Sequence, residues 1–330
     1  MPKPLAHIRT IFLVWSHPQG SHRSQFFAEL FGMRLQYVYF TRRRGAIAAA
    51  LKYPVQALQT IWVMFKYRPH LVFIQDPPTL AAFVVWLCSL ILPIRFIIDT
   101  HTQRRLLVDY TFLWGMRRFV AKRAVTNIVT NEHLAQMLRD WGATATVMED
   151  IPLPLHPEAK TLAGDFNIVW VNVGAVDEPR SIFFEAAKQL PDISFYVTSD
   201  YQRNEELKQY QANASANVTF TGHLPDAEYY QLLKSADVVL TLTNWDHTLQ
   251  QGACEAMWLG RPVITSDQSM LRNYFSKGAV FTDNMIDSLV SAIRQMRTEH
   301  TRYCTEIIEV ADLKRVEWDK QVAKLLHIIG

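Results

Sequence analysis

Twelve short runs of β-branched and aromatic residues, each followed by a longer stretch of helical periodicity, constrain this chain more than any other feature. Six lie in the first half: IFLVW (11–15), RLQYVYF (34–40), LVFIQD (71–76), RFIID (95–99), NIVTN (127–131) and TVMED (146–150). A passage with three prolines, Ile151 to Pro157, interrupts the rhythm. It then restarts with IVWVNVG (168–174), ISFYVTS (193–199), VTFTG (218–222), VVLTLT (238–243), PVITSD (262–267) and AVFTD (279–283). Strands that alternate with helices pair in parallel and are covered on both faces, which is why they read as continuous apolar runs. The chain is therefore expected to be α/β, with two doubly wound parallel-sheet domains over residues 1–155 and 156–330. Prolines keep the segment between them extended. Beyond Arg302, Ile307, Val310, Leu313, Val316, Val322, Leu325, Leu326 and Ile329 fall at helical spacing and predict a terminal helix.

With 330 residues, 49% of them hydrophobic and 20% charged, the composition excludes a disordered or fibrous chain. The formal net charge of +3 conceals an asymmetry. Residues 1–155 carry 18 Lys and Arg against 8 Asp and Glu, and residues 156–330 carry 16 against 23. Such halves are expected to face different partners. Cys88, Cys254 and Cys304 stand far apart, so neither a disulfide framework nor a cysteine zinc site is expected, and a reducing, cytoplasmic compartment fits. The N-terminus reads as a first strand, not a signal peptide. The longest apolar stretch, Leu80 to Ile94, is too short to span a bilayer, so it reads as a buried helix or as one resting on a membrane surface.

Ligands of doubly wound sheets bind outside the carboxyl ends of the strands, which confines the search to the residues after each run. The first turn of the N-terminal half, Ser16 to His22, holds His17, Gly20 and Ser21, and that of the C-terminal half runs from Gly174 to Arg180. Neither is G-x-G-x-x-G, and no P-loop motif occurs, so dinucleotide and P-loop binding are unsupported. D-x-D, H-E-x-x-H and C-x-x-C are also missing from the sequence, and no metal or other cofactor is expected.

The segment NVTFTGHLPDAEYYQLLKSADVVLTLTNWDHTLQQGACEAMWLGRPVITSD, Asn217 to Asp267, carries Gly222, Ala236, Asp237, Glu255, Ala256, Met257, Gly260, Pro262 and Val263 in a distinctive order. It resembles the nucleotide-sugar half of GT-B glycosyltransferases of the large family four, the glycosyl transferases group 1. Glu255 matches the second Glu of that family's E-x7-E motif, and Gly174 with Arg180 matches its G-R-x-x-x-x-K-G turn with Arg for Lys. The resemblance implies two Rossmann-like domains facing each other across a cleft. It also implies transfer of a hexose from a nucleotide-diphosphate sugar, with UDP favoured, and a terminal helix, about 312–329, that returns to the first domain.

The chemistry of the residues agrees. A diphosphate held without a metal needs basic side chains and the positive end of a helix. Arg180 would supply a fork of donors, and the amides of Thr248, Leu249 and Gln250 the helix terminus. Glu255 can accept hydrogen bonds from both ribose hydroxyls, a solvated helix glutamate being the plain alternative. His223 and Leu224, after Gly222, would touch the base by fold analogy. The sequence departs from the family pattern where His247 replaces the first Glu, and Thr248 and Gln250 replace glycines. Either His247 or Asp246 holds the donor sugar in a variant site, or transfer has been lost and the chain only binds nucleotide.

In the first half IQDPPTL (74–80) and IIDTHT (97–102) resemble the N-terminal half of chitobiosyl-diphosphodolichol mannosyltransferase. Asp99 and His101 are the candidates for the base that deprotonates an acceptor hydroxyl, with a structural role for the pair as the alternative. Asp76, Asn131 and Glu132 also end strands. His17, Gly20 and Ser21 could approach the acceptor or the phosphates. The two likenesses imply opposite stereochemical outcomes, retention for the first and inversion for the second. Arg42, Arg43, Arg44, Lys52, Lys66 and Arg68, then Arg104, Arg105, Arg117, Arg118, Lys122 and Arg123, surround an amphipathic stretch from Ile47 to Phe65. That pattern suits an anionic membrane surface and a glycan or lipid-linked acceptor, and no nucleic-acid motif accompanies it. The expectation is a glycosyltransferase of polysaccharide or glycoconjugate synthesis, peripheral on the cytoplasmic face of a membrane. A nucleotide-sugar epimerase of the same fold and an inactive partner subunit are the alternatives.

Overall fold

The computed structural model describes residues 3–17, 22–41, 46–100, 111–150, 152–203, 205–246 and 248–330. The chain forms two compact units, one of Met1–Ile151 with Trp318–Gly330 and one of Pro152–Glu317.

The first unit is built on six parallel strands, β1 (Thr10–Val14), β2 (Arg34–Tyr37), β3 (Leu71–Asp76), β4 (Arg95–Thr100), β5 (Asn127–Val129) and β6 (Ala145–Val147), in the order β2-β1-β3-β4-β5-β6. Its helices are α1 (His22–Phe31), α2 (Ala46–Tyr67), α3 (Thr79–Ser89), α4 (Thr111–Ala121) and α5 (Glu132–Asp140). Layers on both faces explain why all five residues of β1 are buried. Phe12 and Phe73 stack against one another with ring centroids 6.0 Å apart, and Phe27 of α1 meets Phe12 edge to face. The long terminal helix, α12 (His300–Ile329), brings Trp318 edge-on to Phe27 at 5.8 Å, and Arg95 donates to the carbonyl of Ile329 at 2.6 Å.

The second unit repeats the plan with β7 (Asn167–Trp170), β8 (Ser194–Val197), β9 (Val218–Phe220), β10 (Val238–Thr241), β11 (Val263–Ser266) and β12 (Ala279–Thr282), ordered β12-β11-β10-β7-β8-β9. Helices α6 (Arg180–Lys188), α7 (Glu205–Ala212), α8 (Asp226–Ser235), α9 (Gln251–Trp258), α10 (Ser269–Tyr274) and α11 (Ile286–Thr298) complete it with the first part of α12. An aromatic core of Trp170, Phe183, Phe184, Phe195 and Tyr201 fills one face. Small residues of α9 fill the other, where Gly252 lies so close to the chain after β7 that an added Cβ would stand 2.8 Å from the Val171 Cβ.

All twelve expected strands form, and the two sheets are the doubly wound pair that the alternation predicts. Most stop short of the carboxyl ends of their sequence runs. Asn167–Trp170 ends four residues before Gly174, because Asn172, Val173 and Ala175 turn their polar groups onto one carboxylate instead of a neighbouring strand. Among the described residues no helix is long and apolar enough to cross a membrane.

Candidate functional site

The order of strands in the second sheet reverses between β7 and β10, whose carboxyl ends release the loops at 171–179 and 242–250. A crevice at such a switch point is where doubly wound sheets take their ligands. Hydrogen bonds tie the two loops together. The hydroxyl of Thr243 donates to Asp177 at 2.7 Å, and the amide of Asn244 donates to the Asp177 carbonyl at 2.8 Å. The network continues across the sheet edge: Ser266 donates to Asn284 at 2.8 Å, and the Asn284 amide donates to the Thr243 carbonyl at 2.9 Å.

Within the first loop Glu178 is buried and gathers three donors. Asn172 Nδ2 lies at 2.6 Å, the Val173 amide at 2.8 Å and the Ala175 amide at 2.7 Å. Burial outweighs these bonds and pushes the Glu178 carboxyl above the usual carboxylate range. Gly174, with φ +74°, allows the loop to double back. Arg180 opens α6, and its guanidinium donates to the Ala175 carbonyl at 2.5 Å and to Glu206 at 2.9 Å. Its Nε is buried with no hydrogen-bond partner among the described residues. Arg180 is thus held at the loop by its own backbone and by a glutamate that is 63% exposed.

Helix α9 begins at the end of the second loop. Gln250 is its N-cap, yet its side chain donates to the Leu242 carbonyl at 3.0 Å and caps no amide. The helix therefore offers uncapped first-turn amides, with the positive end of its dipole, beside Thr248 and Leu249. One turn in, Glu255 is only 7% exposed, which rules out the solvated glutamate. Its two oxygens accept from Tyr229 at 2.7 Å and Tyr230 at 3.4 Å, both on α8. Burial, then the charge of Glu255, pushes the Tyr229 hydroxyl well above its ordinary value, so it stays a donor. Gly222, at φ +68° and with open space where a Cβ would be, leads through exposed His223 and half-buried Leu224 into α8. His247 lies outside the described residues.

Sequence reasoning thus named one side of this arrangement and overlooked the other. Glu178 and Asp177 sat in the turn already singled out and Thr243 at the end of a strand run, but none of them carries a motif. Tyr229 and Tyr230 are a plain Tyr-Tyr pair in a helix, and only their reach from α8 to α9 gives them meaning.

In the first unit Asp99 is the second-to-last residue of β4 and is fully buried, with Arg23 Nε 3.4 Å from its Oδ2. Arg23 also donates to the carbonyls of Glu149 and Met148 at 3.2 and 3.3 Å. Asp76 at the end of β3 forms a buried pair with Arg117 at 2.9 Å and accepts from Thr79 at 2.9 Å. Asn131 is the N-cap of α5, accepting from the Leu134 amide at 2.9 Å, and Glu132 pairs with Arg139 on the same helix. Only Asp76 ends a strand; Asn131 and Glu132 belong to the start of α5. His17 packs edge-on against Tyr39 at 5.0 Å. His101, Gly20 and Ser21, with Arg42, Arg43, Arg44, Arg104 and Arg105, lie outside the described residues.

Comparison with known proteins follows the same division. A sequence search of curated proteins finds no match. Solved structures superpose over nearly the whole chain. Sucrose-phosphate synthase from Thermosynechococcus elongatus has a TM-score of 0.76 at 15% identity, covering 97% of this chain and 98% of its own. HepE from Anabaena, in complex with UDP and glucose, has a TM-score of 0.72 at 15% identity, covering 97% and 100%. A glycosyltransferase from Rickettsia africae has a TM-score of 0.68 at 12% identity, covering 97% of each chain. At such identities the likeness establishes the fold. The family model described as glycosyl transferases group 1 matches residues 169–299, which span β7, the switch-point loops and α9. Over that region this chain, a GT-B protein by its fold, is similar to the glycosyl transferases group 1.

Proposed function

We propose that the protein is a hexosyltransferase that takes its sugar from a UDP-sugar bound at the β7/β10 switch point of the second unit. The observation that carries this reading is the meeting there of an uncapped helix start and a buried glutamate one turn further on. Support comes from HepE, a structural neighbour described in complex with UDP and glucose.

The diphosphate would lie on the first-turn amides of α9, beside Thr248, Leu249 and Gln250, where the helix dipole favours negative charge. Arg180 would neutralise it from the facing loop. Its partner Glu206 is itself 63% exposed, so a bound phosphate can replace that carboxylate and return it to solvent. Negative charge grows on the leaving phosphate in the oxocarbenium-like transition state, and Arg180 with the helix start would stabilise it there. Glu255 would accept from the ribose hydroxyls, displacing the Tyr230 hydroxyl from its 3.4 Å contact while Tyr229 keeps the carboxylate oriented. His247 or Asp246 would hold the sugar, and His223 with Leu224 the base.

The first unit is assigned the acceptor, a glycan or lipid-linked saccharide. Full burial beside Arg23 suits Asp99 to a positioning role, and His101 is the candidate proton acceptor. Incubation with UDP-hexoses and saccharide acceptors, followed by assay of free UDP, tests the reading. Transfer should fall at least about a hundredfold in His101→Ala, a typical loss for a general base, with donor binding unchanged. Conversion of the donor to its epimer without any acceptor would replace transferase by epimerase.

A further inference from the structure

We infer that the helical layer α2–α4 of the first unit is a docking face for an anionic lipid bilayer. The inference does not depend on the proposed transferase activity. Helix α3 packs against both α2 and α4, so the three form one layer. Helix α2 is apolar on two sides. Val63 and Met64 are buried toward the sheet, whereas Leu51, Leu58, Ile61, Trp62 and Phe65 fall at helical spacing, with steps of three, four or seven residues, on the exposed side. Leu58 is 67% and Trp62 58% exposed, and at the end of α3 Leu90 and Ile91 reach 65% and 75%. A solvated helix face has no reason to carry such a stripe.

Charge decides what covers it. From Leu30 to Asn131 the sequence has 14 Lys and Arg, and its acidic residues are Asp76, Asp99 and Asp109. Asp76 and Asp99 are buried beside Arg117 and Arg23. Helices α2, α3 and α4 contain no Asp or Glu at all. Lys66 and Arg68 are exposed at the end of α2, and Arg118, Lys122 and Arg123 at the end of α4 in the same layer, with the Lys66 ammonium 4.3 Å from the Trp62 ring centroid and the Arg123 guanidinium 3.4 Å from that of Phe119. Apolar side chains with an aromatic at their centre, rimmed by cations and free of carboxylates, match the acyl boundary and the anionic headgroups of one leaflet. A second copy of the chain would bring the same cations face to face, which disfavours self-association. A nucleic acid would have no use for Leu58, Leu90 and Ile91.

Cosedimentation of the full chain with vesicles of phosphatidylcholine, with and without phosphatidylglycerol, tests the inference. Binding should be at least tenfold stronger to the anionic vesicles and should weaken with salt. Replacing Lys66 and Lys122 by Ala should lower it about fivefold for each charge removed. Leu58→Glu with Trp62→Glu should abolish it while the thermal unfolding midpoint stays within a few degrees of wild type, both side chains being mostly exposed. Four results would overturn the inference: no vesicle binding, equal binding to both vesicles, displacement from them by nucleic acid, or a concentration-dependent dimer that Leu58→Glu dissolves.

Discussion

The Tyr229 hydroxyl of α8 donates to the buried Glu255 carboxylate of α9 at 2.7 Å. The bond orients Glu255 before any ligand arrives. Tyr229→Phe removes a donor from a buried anion and is expected to cost about 1–3 kcal/mol of stability by urea unfolding. Because the two groups share the bond, Tyr229→Phe combined with Glu255→Ala should cost less than the sum of the single changes.

Glu178 gives the second unit a pH dependence of definite sign. Burial holds its carboxyl above the ordinary value, so over that window the folded chain keeps a proton that the unfolded chain has lost. The contribution is complete below the ordinary carboxylate range and is lost as pH rises through the elevated value. The stability of wild type relative to Glu178→Gln should therefore fall as the pH rises through that window, as read from urea unfolding at a series of pH values.

Gly252 sets how closely α9 approaches β7. A Cβ there would stand 2.6 Å from Val171 Cγ1 and 2.8 Å from its Cβ, so Gly252→Ala must push the helix away. Overpacking of this kind costs about 1–3 kcal/mol. It should also weaken nucleotide binding, since the displaced helix start is the proposed phosphate site. Calorimetric titration beside thermal unfolding separates the two effects.

Asp76 and Arg117 make a buried pair in which each side chain is less than one-twentieth exposed. Arg117→Met strands the carboxylate and should destabilise the first unit by about 3–5 kcal/mol. Asp76→Asn should cost a similar amount, since it leaves the buried Arg117 guanidinium without its counter-charge.

Much of this fold was legible because burial on both faces of a parallel sheet leaves an unmistakable apolar run. β3 matches its run at both ends, Leu71 to Asp76. The loops were harder, since a strand's last residues look alike whether they extend the ladder or, like Asn172 and Val173, turn onto Glu178. In the site, Glu255 stood out by motif, and its burial agrees with a role in binding. Tyr229 and Arg23 did not, because their meaning lies in contacts across 26 and 76 residues of sequence. The same limit applied to Asp76, Asn131 and Glu132, which fall at the ends of their sequence runs but form a buried ion pair, a helix cap and a surface pair. Charge asymmetry was visible in the sequence, whereas the apolar stripe of Leu58 and Trp62 on the outer side of α2 required the fold.

Calorimetric titration of UDP-glucose into wild type and Glu255→Ala tests the donor site most directly. The wild-type chain should bind one equivalent saturably, and Glu255→Ala should weaken binding at least tenfold, equivalent to about 1.4 kcal/mol, while remaining folded. Equal affinity in the two proteins, or no binding by the wild type to any UDP-sugar, would contradict a donor site at the β7/β10 switch point.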